Sequence, residues 1–328
     1  MPGFAGAYFA GSTNALADDA ELPPGSDIDI MVVIENAAPP EKAGKFLYGG
    51  ALLEASNVAF DRLAVADTLL RDHQLAHAFR VPCVVADPSG RLTEIQAVVA
   101  RDFAKRRYVE ARCQNAFGKV RSYLEMLDET KPLHEQVGPW LFGTSNTTLV
   151  LLIAGLRNPT VRRRYAAVRE LLAEHNRLDV YEELLGLFGA AGMSRGQVER
   201  HLAELARMFD ATKVIVKTPV FFASDISDAA RPITFEGSHA MIEAGLHREA
   251  VFWIGVTFSR CRAILSADAP DLIEGFDPAF HALLADLGID TSADRSRGAD
   301  EVMRYLPRLR RVAEAIAAAN PDDEGDLR

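Results

Sequence analysis

Two aspartates one residue apart, Asp27 and Asp29, stand at the head of the apolar run Ile28 to Ile34. Alternate residues of a strand share a face, so both carboxylates point one way while Ile28 and Ile30 point to the other, where a core can take them. Like charges held on one face repel. A divalent cation relieves that repulsion, and Mg²⁺ takes hard oxygen ligands while sharing itself with substrate phosphates. Such a pair can also hold two metals for an in-line displacement at phosphorus. Upstream, Gly11-Ser12 closes the short apolar run Gly6 to Ala10. Glycine lets the backbone come close to a ligand, and amides at a helix start, with the Ser12 hydroxyl, can hold phosphate oxygens. Alone, a D-x-D at a strand end is a solvated loop edge. Its meaning here comes from following Gly-Ser on the next strand.

The elements that must position these groups read as strand alternating with helix. Ile28 to Ile34 is rich in β-branched residues and predicts a strand. Leu52 to Phe60 predicts another, Asp67 opens a helix through Phe79, and Val81 to Ala86 is a further strand closed by the turn Asp87-Pro88-Ser89-Gly90. This spacing predicts a small α/β unit. From Leu92 to about Asp128 the pattern becomes helical, followed by helical stretches near 136–156, 160–175, 178–189, 194–211, 238–267, 277–288 and 298–319. Ser194 with Gln197 three residues on matches a capping box. The expected organisation is an α/β domain with a short mixed sheet and flanking helices over residues 1–93, a mainly α-helical domain over 94–319, and a polar flexible tail over 320–328.

The order "GST…PPGSDIDIMVVIE" resembles the signature of the nucleotidyltransferase superfamily related to DNA polymerase beta, and most of all its small-molecule branch, the aminoglycoside nucleotidyltransferases. Pro24-Gly25-Ser26-Asp27-Ile28-Asp29 matches their P-x-S-D-I-D pattern. The chain departs from the family in a longer loop between Ser12 and Asp27 and in lacking a glycine after Gly11-Ser12. The resemblance implies an NTP, ATP first, bound through Mg²⁺ (two ions when the NTP is present) on Asp27 and Asp29, with Gly11 and Ser12 at its phosphates. It implies a hydroxylated small-molecule acceptor in the helical domain and release of pyrophosphate. It also implies a third carboxylate on a later strand, acting as general base. Glu54 and Asp61 compete for that role; on a regular strand their odd spacing puts them on opposite faces. Glu54 lies inside an apolar run, where an unpaired carboxylate is expensive to bury, and is favoured. Asp61, before Arg62, reads as a turn residue. Two alternatives share this fold: an antitoxin or regulator acting on a protein partner, loosely suggested by the R-x₅-H matches Arg71–His77 and Arg169–His175, and a non-catalytic nucleotide-binding protein.

A triphosphate needs cations, and residues 1–60 hold eight acids, among them Asp18, Asp19, Glu21 and Glu41, against the two bases Lys42 and Lys45. Arg101, Lys105, Arg112 and Lys119 are spaced four, seven and seven apart. On one continuous helix they fall within about 40° of each other, which makes the first three the expected nucleotide-binding cations. Arg162, Arg163 and Arg164 form a second basic cluster. His239, Glu243 and His247 recur at i, i+4 and i+8, a polar helix face or a metal site that is not H-E-x-x-H.

The chain's 328 residues, 48% of them hydrophobic, suffice for two buried cores. A net charge of −10 argues against duplex nucleic acid as a partner, since affinity there comes from neutralising phosphates. Cys83, Cys113 and Cys261 are odd in number and far apart, which gives neither a zinc spacing nor a disulfide framework. A reducing cytoplasm is expected. The first residues lack the basic region of a signal peptide, and no run reads as a membrane span.

Overall fold

A computed structural model describes residues 3–16, 19–22, 25–35 and 44–320. Asp18, Pro24, Glu41, Lys42 and the tail beyond residue 320 lie outside the described residues. The N-terminal part builds one mixed sheet from β1 (Phe4–Ala10), β2 (Ile28–Ile34), β3 (Gly44–Tyr48), β4 (Ala51–Ala59) and, after the short helix α1 (Ala66–Arg71), β5 (Val84–Ala86). The strand order is β3-β4-β2-β1-β5, with β2 and β4 parallel and the other pairs antiparallel. The strand β3 is absent from the sequence reading. It is short and half exposed, and its signal is the Gly49-Gly50 turn into β4, with φ of 58° and 84° as a two-residue hairpin loop requires.

The remainder is helical: α2 (Arg91–Asp102), α3 (Arg106–Glu125), α4 (Leu133–Ala154), α5 (Arg164–Glu174), α6 (Leu178–Phe188), α7 (Arg195–Thr212), α8 (Arg231–Glu243), α9 (His247–Asp268), α10 (Ile273–Asp286) and α11 (Ser292–Ala318). The layout of a small mixed sheet followed by a mainly helical region agrees with the expectation. Ser194 and Gln197 form the expected capping box at the start of α7.

Three local readings are corrected. The helix expected from Asp67 to Phe79 stops at Arg71. The long stretch from Leu92 breaks between α2 and α3, where Lys105 takes ψ 131°. The stretch 238–267 is two helices, broken at Gly245 with φ +79°, a conformation that suits glycine. In addition, α4 and α9 are long and apolar enough to cross a membrane by length and composition, contrary to the sequence reading. Their apolar windows are 83% and 67% buried inside the protein, where a helix apolar all round forms a core.

Two apolar clusters organise the molecule. One joins Tyr8, Val33 and Val58 of the sheet to Leu69, Phe79, Leu92, Val99, Phe103 and Tyr108. The other begins at Val109 and runs through the remaining helices to Ile316. Both α2 and the first turn of α3 therefore pack with the sheet, and the clusters divide within α3, beyond the expected boundary at 93/94.

Candidate active site

The sheet register gathers the charged side chains. Asp29 of β2 is the lateral partner of Glu54 on β4, and Glu54 is in turn the partner of Lys45 on β3. Laterally paired residues face the same side of a sheet, and Asp27 joins them by its spacing of two from Asp29. One oxygen from each of Asp27, Asp29 and Glu54 lies within 4.8 Å of the others, and among the described residues this is the one cluster of three or more metal-capable groups. Glu54 is thus the carboxylate that joins the aspartate pair. Asp61 sits past the end of β4 in an exposed 3₁₀ turn and does not line the cavity described below.

A cation is built into this cluster. Lys45 Nζ donates to both Asp27 and Glu54, and it lies 3.5 Å from Asp225 Oδ1. The lysine side chain is only 6% exposed. Burial alone pulls the ammonium down, but Asp27, Asp225 and Glu54 together outweigh burial and hold its pKa above the ordinary value. Asp225 also accepts from Arg260 Nη1 at 2.8 Å. For Arg260 burial dominates and lowers the guanidinium, with Asp225 and Glu54 opposing.

Gly11 has a demonstrable reason to be glycine. Its φ is +72°, and a Cβ added there would lie 1.8 Å from Asp29 Oδ2, so the backbone rests against the carboxylate. The helical region holds the β1–β2 connection near both of its ends. Asn158 Nδ2 donates to Gly11 O at 3.2 Å. Arg162 Nη1 donates to Gly25 O, just before Asp27, and to Ile233 O of α8 at 2.8 Å. Gly25 and Gly237 allow this close fit: a Cβ on the first would meet Pro232 O at 2.6 Å, and on the second Arg162 Nη1 at 3.1 Å.

A cavity of about 630 Å³ opens between the sheet and the helices. Gly11, Ser12, Asp27, Asp29, Lys45 and Glu54 line it on one side, and Arg162, Arg163, Asp225, Trp253 and Arg260 on the other. The volume is in the range of small-molecule sites.

The expected basic stripe lies elsewhere. Arg101, Lys105 and Arg112 do not line the cavity, nor does Lys119. The break before α3 removes the single helix on which the spacing was counted. Arg101 Nε is bonded to Asp102 at 2.8 Å and Lys105 Nζ is 3.3 Å from it. Arg112 is buried and donates to Leu70 O at 2.9 Å and Phe103 O at 2.7 Å, with burial lowering its pKa to about 10. The second cluster supplies Arg162 and Arg163 instead. Arg164 turns inward to Ser145 Oγ at 2.8 Å and Asn146 Oδ1 at 2.9 Å. His239, Glu243 and His247 form no site: the Gly245 break divides them, His239 and Glu243 are exposed, and His247 Nε2 is 3.2 Å from Met193 O.

The sequence reading missed Asp225, Trp253 and Arg260 as site residues. Nothing local marks them, since a 3₁₀ turn and α9 deliver them from about 200 residues away in the chain. Lys45 was counted only as a base; the Gly49-Gly50 turn was the signal that could have placed it opposite Glu54. No family model, curated protein or solved structure matches the chain, and the chemistry of the cavity is what bears on function.

Proposed function

We propose that this chain is a metal-dependent nucleotidyltransferase, moving a nucleoside monophosphate, AMP in the first instance, from an NTP to a hydroxyl of a small molecule. The observation that carries this reading is the convergence of Asp27, Asp29 and Glu54 within 4.8 Å in a cavity large enough for a small molecule. The donors are all carboxylate oxygens, the set that a hard divalent cation such as Mg²⁺ takes. Asp27 and Asp29 would hold the metal, and the same carboxylates would share a second ion when an NTP is bound. When bound, Mg²⁺ supplies charge neutralisation at the phosphoryl oxygens.

The protein's own groups do the rest. Gly11 and Ser12 line the cavity where they would hold the triphosphate, and Arg163 lines it as an exposed cation. Glu54 accepts the proton of the acceptor hydroxyl. The freed oxygen attacks the α-phosphorus, the bond from that phosphorus to the α–β bridging oxygen breaks, and pyrophosphate leaves with the electron pair. For Glu54 to accept a proton, Lys45 must release it, and Asp225 is the carboxylate beside which the ammonium can remain. Stabilising charge that gathers on the phosphoryl oxygens is the largest contribution such a site makes.

Purified chain with Mg²⁺, each labelled NTP and a panel of hydroxylated small molecules should release pyrophosphate, and Asp29→Asn should abolish the release. Release that survives Asp29→Asn would sink the proposal. A second reading, a non-catalytic nucleotide-binding protein, is favoured by one observation: Lys45 already pairs with Asp27 and Glu54. It predicts that Mg-NTP binds and that no member of the panel yields pyrophosphate.

A further inference from the structure

We infer that the acceptor is a neutral or anionic hydroxyl compound with a flat apolar portion, held against Trp253, and not a polycation. This inference rests on the nucleotidyl-transfer reading for the word acceptor, but its physical content is a binding preference of one end of the cavity.

The carboxylates lie between two ends. On one side, Asp29 rests against Gly11, and Gly11 is tied to Asn158 at 3.2 Å, so the 158–163 segment with Arg163 belongs to the Gly-Ser end. On the other side a run of contacts leads away from Glu54. Lys45, bonded to Glu54, lies 3.5 Å from Asp225, Asp225 is 2.8 Å from Arg260, and the Arg260 guanidinium lies 5.1 Å from the centre of the Trp253 ring. The triphosphate is drawn to the Gly-Ser end by its backbone and cations. The Trp253 end, adjoining the proposed base, is left for the molecule whose hydroxyl is deprotonated.

That end is apolar and open. Trp253 is half-buried, and its ring is fixed by a bond from Nε1 to Thr234 Oγ1 at 3.2 Å. Along α8 and just past its end, Ala240, Met241 and Ala244 recur on one helix side and line the cavity, and the two alanines are too small to fill it. Phe221 lines the same cavity while 77% exposed, an aromatic face with little to cover it. A planar ligand stacked on Trp253 would bury ring surface, and such a side chain can contribute about 150–250 Å².

The charge at this end decides the class. Asp27, Asp29 and Glu54 are the metal and base set. The remaining acid lining the cavity, Asp225, already faces both Lys45 and Arg260. An ammonium group brought here would lose water and meet cations, and burying an unpaired charge is costly. A neutral ring system loses nothing of the kind, and an anionic substituent could meet Arg260.

Calorimetry on the full chain with Mg²⁺ and α,β-methylene-ATP, which cannot be turned over, tests this directly. The probes are phenyl β-glucoside and 2-naphthyl β-glucoside against the polyamine neamine. The naphthyl compound should bind more tightly than the phenyl one and at least tenfold more tightly than neamine. Trp253→Ala should weaken the naphthyl compound tenfold or more and leave the ATP analogue within twofold. Trp253→Phe, which keeps a ring in place, should lose less, so a folding defect is distinguished from a lost contact. Neamine binding as tightly as the glucosides, failure of either glucoside to bind, or a Trp253→Ala effect on the ATP analogue instead, would each overturn the inference. Nucleotidyl transfer itself fails on a different result, Asp29-independent pyrophosphate release, which this binding experiment does not measure.

Discussion

Lys45 and Glu54 are direct cross-strand partners on β3 and β4, and the Lys45 ammonium is bonded to Glu54 and to Asp27 together. The hairpin thus places a cation where a divalent ion would neutralise the same carboxylates. Metal and lysine cannot hold all of them at once. Lys45→Met should therefore cost about 3 kcal/mol in metal-free buffer, the scale for removing one partner of a buried pair, and saturating Mg²⁺ should restore most of it. Thermal melts with and without Mg²⁺ measure this. An equal loss in both conditions would show that Lys45 and metal do not share the site.

Asp27 shares that ammonium, which changes what its removal should do. Neutralising one of two repelling carboxylates would be expected to relieve strain, but Asp27→Asn also takes a partner from a buried lysine. It should destabilise the metal-free protein by about 1–3 kcal/mol and weaken Mg²⁺ binding. A chemical denaturation midpoint at or above that of the unaltered chain would contradict this.

Glu54→Gln separates base from ligand. If Glu54 takes the proton, turnover should fall by about 10²–10⁴-fold while Mg-NTP still binds. Titration calorimetry beside a pyrophosphate assay makes the comparison. Unchanged turnover would remove Glu54 from the base role, and the exposed position of Asp61 past β4 gives it no claim in its place.

Gly11→Ala should act through Asp29. The added methyl would lie 1.8 Å from Asp29 Oδ2, and the φ of +72° is unfavourable for any side chain. Strain of this kind costs about 1–3 kcal/mol, and the carboxylate or the loop must move. Mg²⁺ affinity should drop with stability. Retained Mg²⁺ affinity would mean that the loop yields and Asp29 does not.

A stability change with pH should come from His77. Burial, with Arg80 and Arg112 adding to it, pushes this imidazole down to about 4. Between about 6.5 and 4 the unfolded chain binds the proton and the folded chain does not, so stability falls as pH falls through that window, by about 3 kcal/mol at its lower end. Asp102, held down to about 2 chiefly by its hydrogen bond from Arg101, enters only below about 4. Urea melts from pH 7 to pH 4 should show the slope, and His77→Gln should make it shallower, with the remainder coming from His73 and His134, which burial also lowers.

The carboxylate face was legible because it depends on a local rule. A period of two puts Asp27 beside Asp29 on any strand, whereas Asp61 is set apart from Glu54 because β4 ends at Ala59 before it. Gly-Ser before a strand and the Ser194 cap are local in the same sense. The boundaries of β2 and β4 followed from runs of β-branched and apolar residues whose burial needs no distant partner to be read. What failed locally was continuity. The Arg101 to Lys119 stripe needed one helix, and a single extended ψ at Lys105 divided it.

The rest could be decided only by the assembled chain. Lateral pairing sets Lys45 opposite Glu54, a 3₁₀ turn brings Asp225 to that lysine, and α9 brings Arg260 to Asp225. Which arginines face the cavity was also a tertiary matter: Arg112 and Arg164 are spent on buried carbonyl, hydroxyl and amide oxygens, while Arg162 ties α8 to the loop before Asp27. Charge spacing along a sequence records which groups exist. Their partners depend on which surfaces the two apolar cores press together, because a buried cation takes whatever oxygen atoms the packing leaves within reach.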